Sequence, residues 1–331
     1  MRRWLIGLVL ILVIAAGAFE WQTAKFAAPG PAARHGTGTV VLIAPKVGLS
    51  GITKTLIDEG VIDSPIVFQI GVRMNRSTEK LKAGEYEIPS RASMLDIMDI
   101  LISGKSIQHK ITAAEGLTSD MVYQLVKADP VLIGNAGAKP AEGTLLPETY
   151  LFTRGTSRGQ LIARMTQAQQ KLLAQLWAGR APNLPLKTPE EALILASVVE
   201  KETSIAEERR HIAAVFENRL RIGMRLQSDP TIIYGITRGY PLGRGIRESE
   251  ITRATPYNTY VIPGLPSGPI CNPGKDSIAA VLNPETTKDL YFVANGTGGH
   301  VFAETQAEQD RNVAAWRKIE KLQSQNQPKK N

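Results

Sequence analysis

Between Trp4 and Phe19 the chain runs sixteen residues without a charge, WLIGLVLILVIAAGAF, behind Arg2 and Arg3. As a helix this stretch measures about 24 Å, slightly short of a hydrocarbon core of about 30 Å. Three readings compete: a buried core helix, a signal peptide cleaved near the small residues Ala15–Ala18, and an uncleaved anchor. The anchor is favoured, with Trp4 and Trp21 as interface residues and Arg2 and Arg3 held in the cytoplasm. Residues 1–23 are therefore expected to be a cytoplasmic end and transmembrane helix, with the bulk of the chain exported. Residues 24–38, AKFAAPGPAARHGTG, lack periodicity and read as a linker.

From Thr39 the pattern becomes short and regular. TVVLIAP reads as a strand, and Ser50 is expected to cap a helix carrying Ile52, Leu56 and Ile57 that Gly60 stops. Ser64-Pro65 starts a second helix with Phe68, Ile70 and Val72, and KAGEYEI, Lys82 to Ile88, reads as the return strand. A helix over Met94–Ile102, a strand near Gln108–Ala113 and a helix over Thr118–Lys127 follow. The β-α-α-β order over residues 39–115 resembles a LysM-like module, a small fold often found binding N-acetylglucosamine polymers. The competing reading is a spacer that only packs on its neighbour.

Residues 128–160 are rich in Gly and Pro, and Gln160–Trp177 reads as an amphipathic packing helix. Thr188, Pro189 and Glu191 then sign a helix start: N-cap, first-turn proline and capping-box glutamate. Ile194, Leu195, Val198 and Val199 recur at helical spacing, and Glu202 falls on their stripe, four residues after Val198. Glu200 lies about 200° around the wheel and faces elsewhere. Local pattern leaves two readings of Glu202 open. It is either a solvated rim residue paired with Lys201, Arg209 or Arg210, or a carboxyl with a raised pKa serving as a general acid.

Glu207–Arg221 continues helically, and its Glu208-x-x-His211 spacing reads as a solvated face rather than a metal pair. RLQSDPTIIYG then offers an amide (Gln227), a carboxylate (Asp229) and a phenol (Tyr234) around a Pro230 turn. Thr255–Gly274 carries Pro and Gly without periodicity and reads as a fixed irregular wall. There Tyr257 and Tyr260 bracket Asn258, plausible chemistry for a sugar face and its hydroxyls, or else core. A helix from Asp276-Ser277 to Leu282, a hairpin over Leu290–Phe302 turning at Asn295-Gly296, and a helix over Thr305–Lys321 complete the pattern. His300 sits on the second strand of that hairpin. Residues 323–331, QSQNQPKKN at their widest, read as a disordered polar tail.

Composition narrows this picture. The chain has 331 residues, enough for two or three cores, with 43% hydrophobic and 21% charged residues. One cysteine, Cys271, excludes an internal disulfide. No zinc spacing, Walker loop or GxGxxG is present, and neither a metal nor a cofactor is expected. The net charge of +8 suits an anionic partner. A nucleic acid is disfavoured, because no long basic block occurs and the anchor places the chain outside the cytoplasm.

VEKET (Val199–Thr203), FENRL (Phe216–Leu220), RIGMRLQSDPTIIYG (Arg221–Gly235), YNTY (Tyr257–Tyr260), GLPSGPICNPG (Gly264–Gly274) and YFVANGTGGHVF (Tyr291–Phe302) occur in this order. Together they resemble the YceG-like endolytic murein transglycosylases of bacteria. The resemblance implies a lyase of EC 4.2.2 class, anchored in the inner membrane by residues 4–23, with its catalytic part in the periplasm. It implies internal cutting of nascent glycan strands between N-acetylmuramic acid and N-acetylglucosamine, as a terminase of chain growth near peptidoglycan synthases. The family's essential glutamate maps to Glu202, and Glu202-Thr203 resembles the Glu-Ser pair of other lytic transglycosylases. The family's Pro-Asp-Thr is here Pro147-Glu148-Thr149, so Glu148 is given no role.

The expected architecture is α+β: anchor, LysM-like module, then a mixed α+β catalytic domain over 116–322. Motif position and residue chemistry make Asn218, Gln227, Asp229, Tyr234, Tyr257, Asn258, Tyr260 and His300 the substrate-binding candidates beside Glu202. Two alternatives stand beside the transglycosylase: a water-using muramidase with Asp229 or Glu200 as base, and a non-catalytic glycan-binding scaffold for synthases.

Overall fold

The computed structural model describes residues 2–326. The chain divides into two compact units, one of residues 1–109 with 151–156, the other of residues 110–150 with 157–331. The fold is α+β, and among the described residues the strands form three two-stranded ribbons.

The first unit opens with α1 (Arg2–Ala27), long and apolar enough over Trp4–Ala27 to cross a membrane. Nothing in EWQTAKFA breaks a helix, so α1 runs on past the apolar stretch until Pro29 approaches. Its last turns are not a free linker. Gln22 Nε2 donates to Val67 O (2.8 Å), Lys25 pairs with Asp63 (2.5 Å), and Phe26 is buried against Phe68 with ring centroids 6.4 Å apart. Beyond α1 the chain stays attached: Gly30 N–H donates to Arg91 O, and Arg91 N–H to Pro31 O.

Next come β1 (Gly38–Ile43), α2 (Leu49–Asp58), α3 (Pro65–Met74), β2 (Gly84–Pro89) and α4 (Met94–Ser103). β1 and β2 pair antiparallel in the register Val41↔Tyr86. Caps set the helix starts: Ser64 Oγ accepts from Val67 N–H, and Ser93 and Asp96 close a full capping box. Val41, Ile43, Leu56, Phe68, Tyr86 and Ile97 make the core of this unit. Glu85 is buried there between His109 and Arg154.

β3 (His109–Thr112) pairs with β4 (Thr149–Phe152), a strand the Gly/Pro-rich pattern of 128–160 conceals. The second unit holds α5 (Ser119–Ala128), α6 (Arg158–Ala178), α7 (Pro189–Glu202), α8 (Arg209–Arg221), α9 (Asp229–Thr237), α10 (Glu248–Ile251), α11 (Lys275–Leu282), the hairpin β5 (Tyr291–Ala294) and β6 (His300–Ala303), and α12 (Gln306–Asn326). α12 extends five residues beyond the expected Lys321, because QSQN contains no breaker; residues 327–331 of the expected tail lie outside the described residues.

α7 is the centre of this unit and touches α6, α8, α9 and α11. It is therefore buried on almost every side, where its sequence suggests one apolar stripe. Ala192, Ala196 and Ser197 are buried beside Leu195, Val198 and Val199, and their small side chains let the neighbouring helices close in. Of its expected capping box, Thr188 Oγ1 accepts from Glu191 N–H (3.2 Å), but the Glu191 carboxylate takes the N–H of Lys187 rather than that of Thr188.

Candidate active site

Glu202 is the last residue of α7, so burial of the helix carries its carboxyl to the rim of the core. Its surroundings set its chemistry. Burial pushes the carboxyl up to about 7; the Ser228 hydroxyl bond and the Arg219 charge oppose this, and the Asp229 charge adds to it. None of the cations that the rim reading offers as partners, Lys201, Arg209 and Arg210, pairs with it. Lys201 Nζ reaches Gly116 O, Arg209 faces Glu115 and Asp276, and Arg210 holds Asn283 O. Glu200 turns to the other side and accepts from Gly274 N–H (2.9 Å).

Ser228 Oγ donates to Glu202 Oε1 (2.5 Å). Ser228 stands at the N-cap of α9, yet its side chain does not cap the helix. A serine cap is worth about 1 kcal/mol, and here the hydroxyl goes to the carboxylate instead. A buried hydroxyl network fixes it. Ser228 N–H donates to Thr259 Oγ1 (2.9 Å), Thr231 Oγ1 donates to Ser228 O (2.6 Å), and the two threonine hydroxyls lie 2.9 Å apart. Ser228, Thr231 and Thr259 are all buried.

Asp229 and Tyr260 join the same wall, with Tyr260 OH donating to Asp229 Oδ1 (2.7 Å). Burial and that acidic partner push the Tyr260 phenol well above its ordinary range, so it remains a donor. Arg219 approaches from α8. Its Nε donates to Leu290 O (2.6 Å) and one terminal nitrogen to Leu226 O (2.6 Å), leaving its charge near Glu202 and Tyr260. Gln227 is exposed at a left-handed φ of 52°, held by its N–H to Thr259 O. Beside these residues, Lys201, Pro230, Ile233, Tyr234, Tyr240 and Ile270 line a recess of about 240 Å³.

The structure thus brings Glu202, Asp229, Tyr260 and Gln227 to one wall, and sequence reasoning missed Ser228, Arg219 and Thr259. The signal for Ser228 is masked, since a serine before Asp-Pro reads as an ordinary cap. Three candidates are engaged in the framework instead. Asn258 is buried and donates to the carbonyls of Glu250, Ile251 and Arg253 while accepting from Tyr260 N–H. Asn218 donates to Thr287 O and Asp289 O and accepts from Arg221. His300 faces Glu208 at 2.7 Å and Thr203 donates to the same carboxylate, so Thr203 is not the partner of Glu202. Tyr234 donates to Glu142 (3.0 Å) and packs edge-on against Tyr257, centroids 4.7 Å apart.

The Glu208-x-x-His211 face is not solvated. Both residues are half-buried, and they diverge: Glu208 serves His300, while His211 meets Asp289 (2.7 Å) and stacks on Phe302. Among the described residues no group of three His, Cys, Asp or Glu side chains could hold a metal.

Comparison with known proteins gives the chain relatives. A family model described as YceG-like matches residues 41–315. An endolytic murein transglycosylase of Streptococcus pneumoniae is 31% identical over 312 residues, covering 80% of this chain and 55% of its own length. One of Bacillus subtilis is 35% identical over 173 residues, covering 52% of this chain and 47% of its own. The chain spans about half the length of the curated relatives it matches. A crystal structure of a YceG-like protein from Listeria monocytogenes superposes with a TM-score of 0.51 at 30% identity, over 82% of this chain and 98% of that one.

Proposed function

Because the chain belongs to the YceG-like family, we propose that it is an endolytic peptidoglycan lytic transglycosylase with Glu202 as its acid and base. The observation that carries this reading is the Glu202 carboxyl itself, half-buried at a helix end, pushed up to about 7 and held by the Ser228 hydroxyl. A group that donates a proton and then takes one back works best with a pKa near the ambient pH.

Protonated Glu202 donates to the glycosidic oxygen between N-acetylmuramic acid and N-acetylglucosamine as that bond breaks. The muramic residue becomes oxocarbenium-like, and the carboxylate of Asp229, oriented by Tyr260, lends it negative charge. Ionised Glu202 then removes the proton of the C6 hydroxyl as that oxygen attacks C1 of the same sugar. The product is a 1,6-anhydromuramic end, and no water is consumed. Hydrolases need a second carboxyl to activate water or act as nucleophile; here the substrate's own hydroxyl is the nucleophile. Gln227, Tyr260 and the recess beside Tyr234 position the sugars, whereas Asn258, Asn218 and His300 act through the framework.

In this reading α1 is the single anchor in the inner membrane and both units lie in the periplasm. The β1-α2-α3-β2 order with its antiparallel strand pair supports a LysM-like module that contacts glycan. The enzyme would release nascent strands as a terminase of elongation, beside peptidoglycan synthases.

Mass spectrometry of muropeptides tests this. Full-length chain in detergent and its Glu202→Gln variant are given purified glycan strands. Internal fragments ending in 1,6-anhydromuramic acid, made by the wild type only, are the expected result. Hydrated reducing ends would instead make the protein a muramidase, with Asp229 as its base. Uncut strands with both proteins, on nascent as well as isolated glycan, would leave the scaffold reading.

A further inference from the structure

A buried guanidinium is normally tied down by hydrogen bonds, since each N–H left without a partner costs free energy. Arg219 of α8 follows the rule with two bonds of 2.6 Å. Arg209, at the start of the same helix, does not. It is only 9% exposed, and among the described residues its side chain makes no hydrogen bond. Glu115 Oε2 and Asp276 Oδ2 each stand 3.8 Å from its terminal nitrogens, within ion-pair range and beyond a hydrogen bond. Burial, then the charge of Glu200, push the Glu115 carboxyl above its ordinary value, and Arg209 offsets this only in part.

The same guanidinium lines an open recess of about 420 Å³ between the start of α8 and α11, within the usual size range of small-ligand sites. On one wall Ala206, Arg209 and Arg210 are spaced three and four apart, as one helical face requires. On the other wall Asp276, Ala279 and Ala280 repeat that spacing along α11. The alanines leave the room, and the charged groups sit around it. Arg210 Nε donates to Asn283 O (2.8 Å), which fixes its charge at the far end of the recess. The Asp276 side chain is 71% exposed, and among the described residues it pairs only with Arg209. A lone anion in this recess would meet Asp276, and a lone cation would meet two arginines. A group with ammonium and carboxylate on one carbon meets opposite charge at both ends.

We propose that the recess binds the α-amino-acid head of a peptide stem on the substrate strand, with Arg209 and Arg210 on its carboxylate and Asp276 on its ammonium. This rests on the reading of the protein as a peptidoglycan enzyme. Muramic acid carries peptide stems, and a diamino acid such as diaminopimelate within a stem presents this head at the end of its side chain. The unused donors of Arg209 suit a carboxylate taken by two parallel bonds. Glu200, which turns away from the Glu202 side of α7, accepts from Gly274 N–H just before α11, so the recess lies around the helix end from Glu202. The stem spans that gap, since it reaches up to about 3.5 Å per residue. Strands that keep their stems are thereby held better than stripped glycan.

Fluorescence anisotropy on the full-length Glu202→Gln chain in detergent tests this. The probes are dye-capped Ala-γ-Glu-X tripeptide amides, with diaminopimelate, lysine or 2-aminopimelate as X. Their side chains end in a zwitterionic head, a bare ammonium and a bare carboxylate. The diaminopimelate probe is expected to bind, and the other two at least tenfold more weakly, because one hydrogen bond to a charged group is worth about that factor or more. Asp276→Asn and Arg209→Gln should each weaken the diaminopimelate probe by a similar factor. Asp276 is exposed, so its replacement spares the fold whatever Arg209→Gln does. Equal binding of the diaminopimelate and 2-aminopimelate probes, or no saturable binding of any probe, overturns the proposal. In cutting assays Asp276→Asn should raise KM for strands with diaminopimelate stems more than for stripped strands. An equal change for both would assign the recess to a free amino acid and overturn the stem. The binding arm uses a variant that does not cut, so it stands whether or not the wild type makes 1,6-anhydro ends.

Discussion

Replacing Glu202 by glutamine should abolish cleavage and make the protein more stable, by an amount that grows with pH. The carboxyl ordinarily titrates near 4.5, and burial raises it to about 7 in the folded chain. Between those values the folded state keeps a proton that the unfolded state has lost. Stability from this group is therefore fully present below pH 4.5, falls as pH rises toward 7 and is lost above it. A difference of about 2.5 pH units at about 1.36 kcal/mol each gives about 3 kcal/mol, a ceiling, because water at the rim screens part of the charge.

Glutamine has nearly the same shape, still accepts from Ser228 and never ionises. At pH 8 the variant should exceed the wild type by up to about 3 kcal/mol, roughly 6–12 °C in Tm for a unit of this size; at pH 4.5 the two should coincide. Glu217, buried and also pushed up to about 7, loses stability over the same window but is present in both proteins and cancels. Thermal unfolding of both full-length proteins in detergent at the two pH values is the assay. A gap of the same size at both pH values, or a variant less stable at pH 8, would refute the account of a carboxyl strained by burial.

Three further outcomes follow from the same geometry. The wild type kcat/KM should fall above about pH 7, and in Ser228→Ala that alkaline limb should move up by about 1–2 pH units, since a bond to a charged group is worth about 1.5–3 kcal/mol; an unmoved limb in a pH-rate profile would detach Ser228 from Glu202. Asn258→Ala strands three backbone carbonyls at about 1–3 kcal/mol apiece when buried, so a lowered Tm is expected, and a raised KM at unchanged Tm would return Asn258 to the substrate. Phe26→Ala should cost the first unit about 3–5 kcal/mol, seen as an earlier unfolding transition; an unchanged transition would mean that α1 is not part of that core.

Local signals carried much of this protein. The apolar run 4–19, the caps at Ser64, Ser93, Thr118 and Thr188, and the Asn-Gly turn of the hairpin each act within a few residues, and the elements formed where those signals stand. Helical periodicity placed Glu202 on the buried side of α7 and Glu200 away from it, because 3.6 residues per turn is a property of the backbone alone. The motif order carried the family. What the sequence could not supply is partnership across long separations. Ser228 meets Glu202 over 26 residues, and a serine that forgoes its own cap reads like any serine that makes one. Asn258 and His300 offered polar groups that only the folded chain showed to be already engaged. Phe26 looked like linker until Gly71 left room for its ring. Whether a polar group serves a ligand or the framework depends on which distant atoms reach it first, and packing decides that.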